Sequence, residues 1–280
     1  MSDFCKGNTY KKVAAILSNH LFGQLVNIES MYEKMIDDYN NPNPENLNFY
    51  TASKEDIIGY GDLLKLKRLQ NVGIDLPIYF GDNTLSKRIM IVAMDAKRNG
   101  QNDDKITIGS VFSLNYKNSR STKSNDYWKF IEPLTKNSFV YLTDIFKIYY
   151  ETTPLADGKQ SIVLSNKDKD YTGKESIAFK TNRAILEAEI NLVKPDTIIS
   201  LGNESAAALK MLSGIYSNDI DLMHNDIRYL FMPHISRTVT QSISTIANLF
   251  IAMGKLKNNH SMIDLGQQIK LAKDKLYSYG

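Results

Sequence analysis

Short, wholly apolar runs alternate with stretches of helical periodicity over most of the chain, and three of the runs end on polar residues. Ile89 to Ala93, Phe139 to Leu142 and Tyr229 to Met232 are apolar at nearly every position, the pattern of a strand covered on both faces. With Thr197 to Leu201, they predict strands over Arg88–Ala93, Phe139–Leu142, Thr197–Leu201 and Arg228–Met232. Asp126–Leu134, Ser176–Leu192 and Asn203–Leu212 read as helices between them, and Thr240–Lys257 as a closing helix. Strands alternating with helices predict an α/β fold with a central, mostly parallel sheet. Ser161 to Gly173 is polar and reads as an excursion from it.

The first part of the chain has another pattern. Val13, Leu17, Leu21, Ile28, Met31 and Met35 recur near helical spacing, which predicts one long helix or two short ones. Asn40-Asn41-Pro42-Asn43-Pro44 stops that pattern, because proline disfavours the α conformation in the residue before it. Ser53 and Asp56 have the spacing of a capping box ahead of a further helical stretch through Leu69. The expected division is a helical N-terminal segment over residues 1–77 and an α/β domain over 78–280.

Composition narrows the class of protein. At 280 residues and 42 % hydrophobic, the chain can bury one large core. It has no apolar stretch near the roughly 20 residues that span a bilayer, and its polar first residues are unlike a signal peptide. The expected compartment is the cytoplasm, with no membrane partner. One cysteine, Cys5, excludes an internal disulfide and a multi-cysteine metal centre built by this chain alone. Net charge is only +3, but Lys97 to Lys129 holds seven basic residues against three aspartates. Lys117, Arg120 and Lys123 lie in that patch, which suits a phosphate backbone, although an ordinary solvated loop has the same composition.

The three polar strand endings carry the candidate chemistry. They are Ala93-Met94-Asp95-Ala96, Leu142-Thr143-Asp144-Ile145-Phe146-Lys147 and Met232-Pro233-His234-Ile235-Ser236. In open α/β sheets ligands bind beyond the carboxyl ends of the strands, so Asp95, Asp144 and His234 are expected to converge. A shielded aspartate can orient water or stabilise positive charge on a sugar, and is also a common helix cap. A histidine there can hydrogen-bond a leaving group that gains negative charge, or can be structural. Phe112 is either core or a flat stacking platform. Ser200-Leu201-Gly202-Asn203 reads as a strand, a glycine turn and a helix start, where free N–H groups suit an anion.

Taken in order, these segments resemble the uracil-DNA glycosylase superfamily. Ala93-Met94-Asp95-Ala96-Lys97-Arg98 and Gly109-Ser110-Val111-Phe112-Ser113 stand where the classical branch has Gly-Gln-Asp-Pro-Tyr-His and Gly-Leu-Ala-Phe-Ser. Thr143-Asp144-Ile145-Phe146-Lys147 is similar to the Thr-Asn-x-x-Lys of the iron-sulfur branch, and Leu201-Gly202 with the following alanines to its Leu-Gly-x-x-Ala turn. Met232 to Ser236 is similar to the final His-Pro-Ser, and the likeness covers about residues 78–255. It implies a three-layer α/β/α domain and a metal-free, cofactor-free enzyme that hydrolyses the N-glycosidic bond of a base extruded from DNA. By the same resemblance Asp95 would orient water and support the sugar cation, and His234 would stabilise the departing base. Phe112 and Met94 would hold the base. Gly202, Asn203, Ser236, Arg237 and Lys147 would contact DNA, joined by Lys117, Arg120 and Lys123 from the basic patch.

Departures from the motifs bear on substrate. The base-reading Asn of the family is Asp144 here. A carboxylate only accepts, whereas a protonated Asp144 would accept from a 4-amino group and donate to an unprotonated ring nitrogen, the pattern of cytosine. Lys97 replaces the tyrosine that blocks the ring 5-position, leaving room for a 5-substituent. The expected substrate is a cytosine-type, 5-modified base in double- or single-stranded DNA, as in phage genomes, with antiviral defence as the role. The alternatives are a repair glycosylase for uracil or another deaminated base, a non-catalytic DNA-binding relative, and an unrelated enzyme of small nucleotides.

Overall fold

The computed structural model describes residues 4–23, 26–40, 50–58, 69–95, 106–120, 126–152, 176–217, 219 and 221–232. The closing helix, the 161–173 excursion, Lys97, Lys123, His234, Ser236 and Arg237 lie outside the described residues.

Two helices open the chain, α1 (Thr9–His20) and α2 (Ile28–Asn40), the second of the two arrangements the periodicity allowed. Their apolar stripes, Val13 and Leu17 on α1 and Tyr32 and Met35 on α2, are buried in the common core. The residues that follow do not continue a helical segment. Strands β1 (Tyr50–Ala52) and β2 (Leu69–Leu76) interrupt it, and the capping box at Ser53 and Asp56 closes only the short 3-10 turn Lys54–Asp56. Valine and isoleucine at alternate positions of β2 place their branched side chains well on a pleated surface.

The other strands are β3 (Ile78–Phe80), β4 (Arg88–Asp95), β5 (Ile106–Ser110), β6 (Phe139–Phe146), β7 (Ile148–Thr152), β8 (Thr197–Leu201), β9 (Asp221–His224) and β10 (Ile227–Met232). The helices among them are α3 (Asp126–Thr135), α4 (Ile177–Val193) and α5 (Asn203–Ser213), close to the spans expected from periodicity. Ser176 caps α4 by accepting the Phe179 N–H at 3.0 Å, and Lys194 ends it in the left-handed conformation just before Pro195.

Six strands form the larger sheet in the order β3-β6-β4-β8-β10-β9. Its four inner strands are parallel and both edges antiparallel, so the sheet is mixed. The second sheet, β1-β5-β2-β7, is also mixed. The chain crosses between the sheets at two single residues, Pro77 between β2 and β3 and Lys147 between β6 and β7.

Alternation along β3 and β6 assigns helices to opposite faces of the larger sheet. On the face of Tyr79, Tyr141 and Thr143 lie α1, whose Tyr10 N–H donates to Tyr79 Oη, and α4, whose Glu189 accepts from Tyr141. On the face of Phe80 lies α3, whose Trp128 ring is 5.2 Å from the Phe80 ring. Residues Val13, Tyr32, Ile74, Ile91, Ile148, Ile185 and Leu230 belong to one continuous core. That continuity joins the first 77 residues to the rest through packing. Among the described residues no helix is long and apolar enough to cross a membrane.

Candidate functional site

Parallel pairing brings the carboxyl ends of β6, β4, β8 and β10 to one border of the larger sheet. Ala93 pairs with Asp144, Asp95 with Phe146, Val92 with Ser200, and Leu201 with Met232. Asp95 is the last residue of β4, as the motif predicted. Asp144 is not beyond its strand: β6 continues through Phe146, because Ile145 and Phe146 find partners on β4 and in the core. By register, positions 95 and 144 fall on the same face of two adjacent strands, one step apart along them. Asp144 is buried, 2 % exposed, and Met94 is half-buried on the other face. The Gly202 N–H donates to the Met232 carbonyl at 2.8 Å, so the chain leaves β10 toward His234 from this same border.

Lys147 is not placed to meet DNA. Its side chain is 0 % exposed, and its ammonium lies 2.9 Å from both Glu189 oxygens. It also donates to Thr143 Oγ1 and to the Asp144 carbonyl, the latter at 2.7 Å. The Lys147 N–H donates to Asn182 Oδ1 at 3.0 Å, so α4 holds both the main chain and the side chain of the corner. Burial, reinforced by the Glu189 charge, pushes the Tyr141 phenol well above its ordinary range, so it remains a donor to Glu189. Sequence reasoning missed Asn182 and Glu189, although a signal was present. They sit on the buried stripe Asn182, Leu186, Glu189, Val193, where polar residues require partners.

Phe112 stands in the 3-10 turn Val111–Ser113, which packs against β6. Its φ of 56° and that of Ser113, 54°, are left-handed, a conformation that costs a non-glycine residue on the order of 1 kcal/mol. The Phe112 ring stacks on Tyr127 of α3, with centroids 4.0 Å apart and planes 13° from parallel. Below it, Ser110 Oγ donates to Asn115 Oδ1 at 2.6 Å and accepts the Asn115 N–H at 3.1 Å, closing the loop on itself.

The basic patch divides. Arg120 lies 3.5 Å over the Tyr39 ring of α2 and donates to the Leu114 carbonyl at 2.8 Å. It is therefore a clamp between the 112–120 loop and α2, in place of the phosphate contact expected of it. Lys117 opens the 3-10 turn Lys117–Arg120.

Gly202, with φ of 101°, turns the chain from β8 into α5, which begins at Asn203. Ser205 Oγ is committed to the Leu201 carbonyl at 2.9 Å, and Glu204 already places a negative charge in the first turn. The second feature disfavours an anion at this helix end.

No protein-family profile matches the sequence, and no curated protein matches it.

Proposed function

We propose that the protein is a monofunctional DNA glycosylase acting on a cytosine-type, 5-modified base. The observation that carries the reading is the register of β4 and β6, which sets Asp95 and the buried Asp144 on one face at the carboxyl border of parallel strands. Phe112, held in a left-handed turn against β6 and stacked on one side, supplies an aromatic face near the same strand. Backbone strain of this kind persists where the surrounding structure holds it and is common at functional sites.

In the proposed reaction a water oxygen bonds to the sugar anomeric carbon while the glycosidic bond breaks toward the base. Asp95 orients the water and stabilises the cationic sugar, and His234 offsets the charge on the departing base. Asp144, in its protonated form, reads the base. DNA is the partner; Gly202, Asn203, Ser236, Arg237, Lys117 and Lys123 remain its proposed contacts. Cleavage of modified cytosines would suit defence against phage, in the cytoplasm.

Mass spectrometry of bases freed from unmodified, uracil-containing and 5-modified-cytosine DNA tests the reading. A freed 5-modified cytosine is expected, with release reduced at least about a hundredfold by Asp95→Ala and DNA binding retained. Release by the variant at the wild-type rate would remove Asp95 from the chemistry.

A further inference from the structure

The corner at Lys147 is more elaborate than a crossing between sheets requires. A buried ion pair is seldom more stabilising than apolar residues of the same volume, so its worth lies in geometry. Here the geometry converges on one peptide. The ammonium donates to the Asp144 carbonyl and the Thr143 hydroxyl, Glu189 accepts from Lys147, Thr143 and Tyr141, and Asn182 takes the Lys147 N–H. Every one of these α4 contacts reaches β6 from the Thr143 face, and by alternation position 144 faces the other way.

We propose that Lys147 and Glu189 are positioning residues for Asp144, tying its main chain to α4 so that its carboxyl is presented at a fixed height on the opposite face. This rests on the reading of Asp144 as the group that reads the base. The pair also explains the Thr-Asp-x-x-Lys spacing. A lysine three residues after the aspartate, just past the strand end, reaches back to the carbonyl of that aspartate and to the preceding hydroxyl. Because Glu189 offsets the ammonium charge, the device holds the peptide without adding net charge behind Asp144. The bonds are static: no proton or electron moves through them.

The test is the double variant Lys147→Met with Glu189→Gln in the full chain. It leaves no buried charge and keeps an acceptor for Tyr141 and Thr143, while removing the donor to Asp144. Thermal unfolding checks that it folds. Amide hydrogen exchange over residues 143–148 reads the corner, and steady-state kinetics on duplexes carrying a 5-modified cytosine read the site. Exchange at the corner is expected to rise about tenfold or more, and kcat to fall by a similar factor, with KM changed no more than about twofold. Exchange, kcat and base preference all at wild-type values in the folded variant would overturn the proposal. If wild type frees no base from any DNA, the glycosylase reading fails alone, and exchange then decides the positioning claim by itself. Should the double variant not fold, Glu189→Gln alone takes its place. Exchange raised several-fold at 143–148, below its melting temperature, is the expected result, and unchanged exchange overturns the claim.

Discussion

Phe112 lies flat on Tyr127, with ring centroids 4.0 Å apart, although its backbone is left-handed. The stack repays part of the conformational cost. Aromatic pairs contribute roughly 0.5–1.5 kcal/mol beyond their buried area, about the cost of one left-handed non-glycine residue. Phe112→Ala keeps the strain and loses the stack, so it should lower stability by about 1 kcal/mol and base release by at least about tenfold. Phe112→Gly removes both and should be the more stable of the two. Denaturant midpoints compare the pair, and an alanine variant as stable as glycine would show that the turn is not strained.

Arg120 separates two uses of positive charge. Its guanidinium is stacked on Tyr39 and bonded to the Leu114 carbonyl, so Arg120→Ala should cost about 1–3 kcal/mol of stability. The salt dependence of DNA affinity should stay as in wild type. Lys117→Ala and Lys123→Ala should instead leave stability nearly unchanged and each flatten the salt slope by about one. A flattened slope in folded Arg120→Ala would return it to the phosphate track.

The legible part of the fold is the part whose pattern has one structural solution. Consecutive apolar residues from Ile89 and from Thr197 admit only strands covered on both faces, and the helices between them have full amphipathic stripes. Residues 50–76 misled because the Ser53–Asp56 box is equally good on a single 3-10 turn. Strands β2, β5 and β7 were missed because Gly73 and Gly109 interrupt their apolar runs, and their pairing is set by partners distant in sequence. At the site, the position of Asp95 was legible from its strand. The burial of Lys147 was not, since its partner Glu189 is 42 residues away on a helix that reads as ordinary. Arg120 was misread for the same reason, its aromatic partner lying on α2.

Cys5 gives the folded state a dependence on alkaline pH. Burial pushes its thiol from 9.0 up to about 12. A pKa raised by folding means that the native state holds the proton more tightly than the unfolded chain does. The stabilisation is therefore complete below the ordinary thiol value and is lost as pH rises from about 9 toward about 12. Tyr32 and Tyr141, raised by burial, act in the same direction. Denaturant midpoints should fall through this window, and less steeply in Cys5→Ala. An equally steep fall in Cys5→Ala would assign the whole dependence to the tyrosines. Native protein should also resist thiol reagents at pH 8 until denaturant is added, because the thiolate is the reactive form.

Asp144→Asn carries the substrate question. Discrimination by buried hydrogen bonds is strong, since the wrong base leaves polar groups unpaired at about 1–3 kcal/mol each. An asparagine in this buried place donates to a 4-carbonyl and accepts from a ring N–H, which suits uracil; a protonated aspartate does the reverse. The substitution is nearly isosteric, so packing around the 2 % exposed side chain should survive and melting should move little. Release of 5-modified cytosine should fall and release of uracil rise, each by about tenfold or more. The opposite directions are the decisive feature, because a loosened pocket would change both rates the same way. Matched duplexes that differ only in the target base, assayed under single-turnover conditions, give the comparison. If wild type already prefers uracil, or the substitution lowers both rates equally, Asp144 does not read the base and the cytosine assignment is wrong.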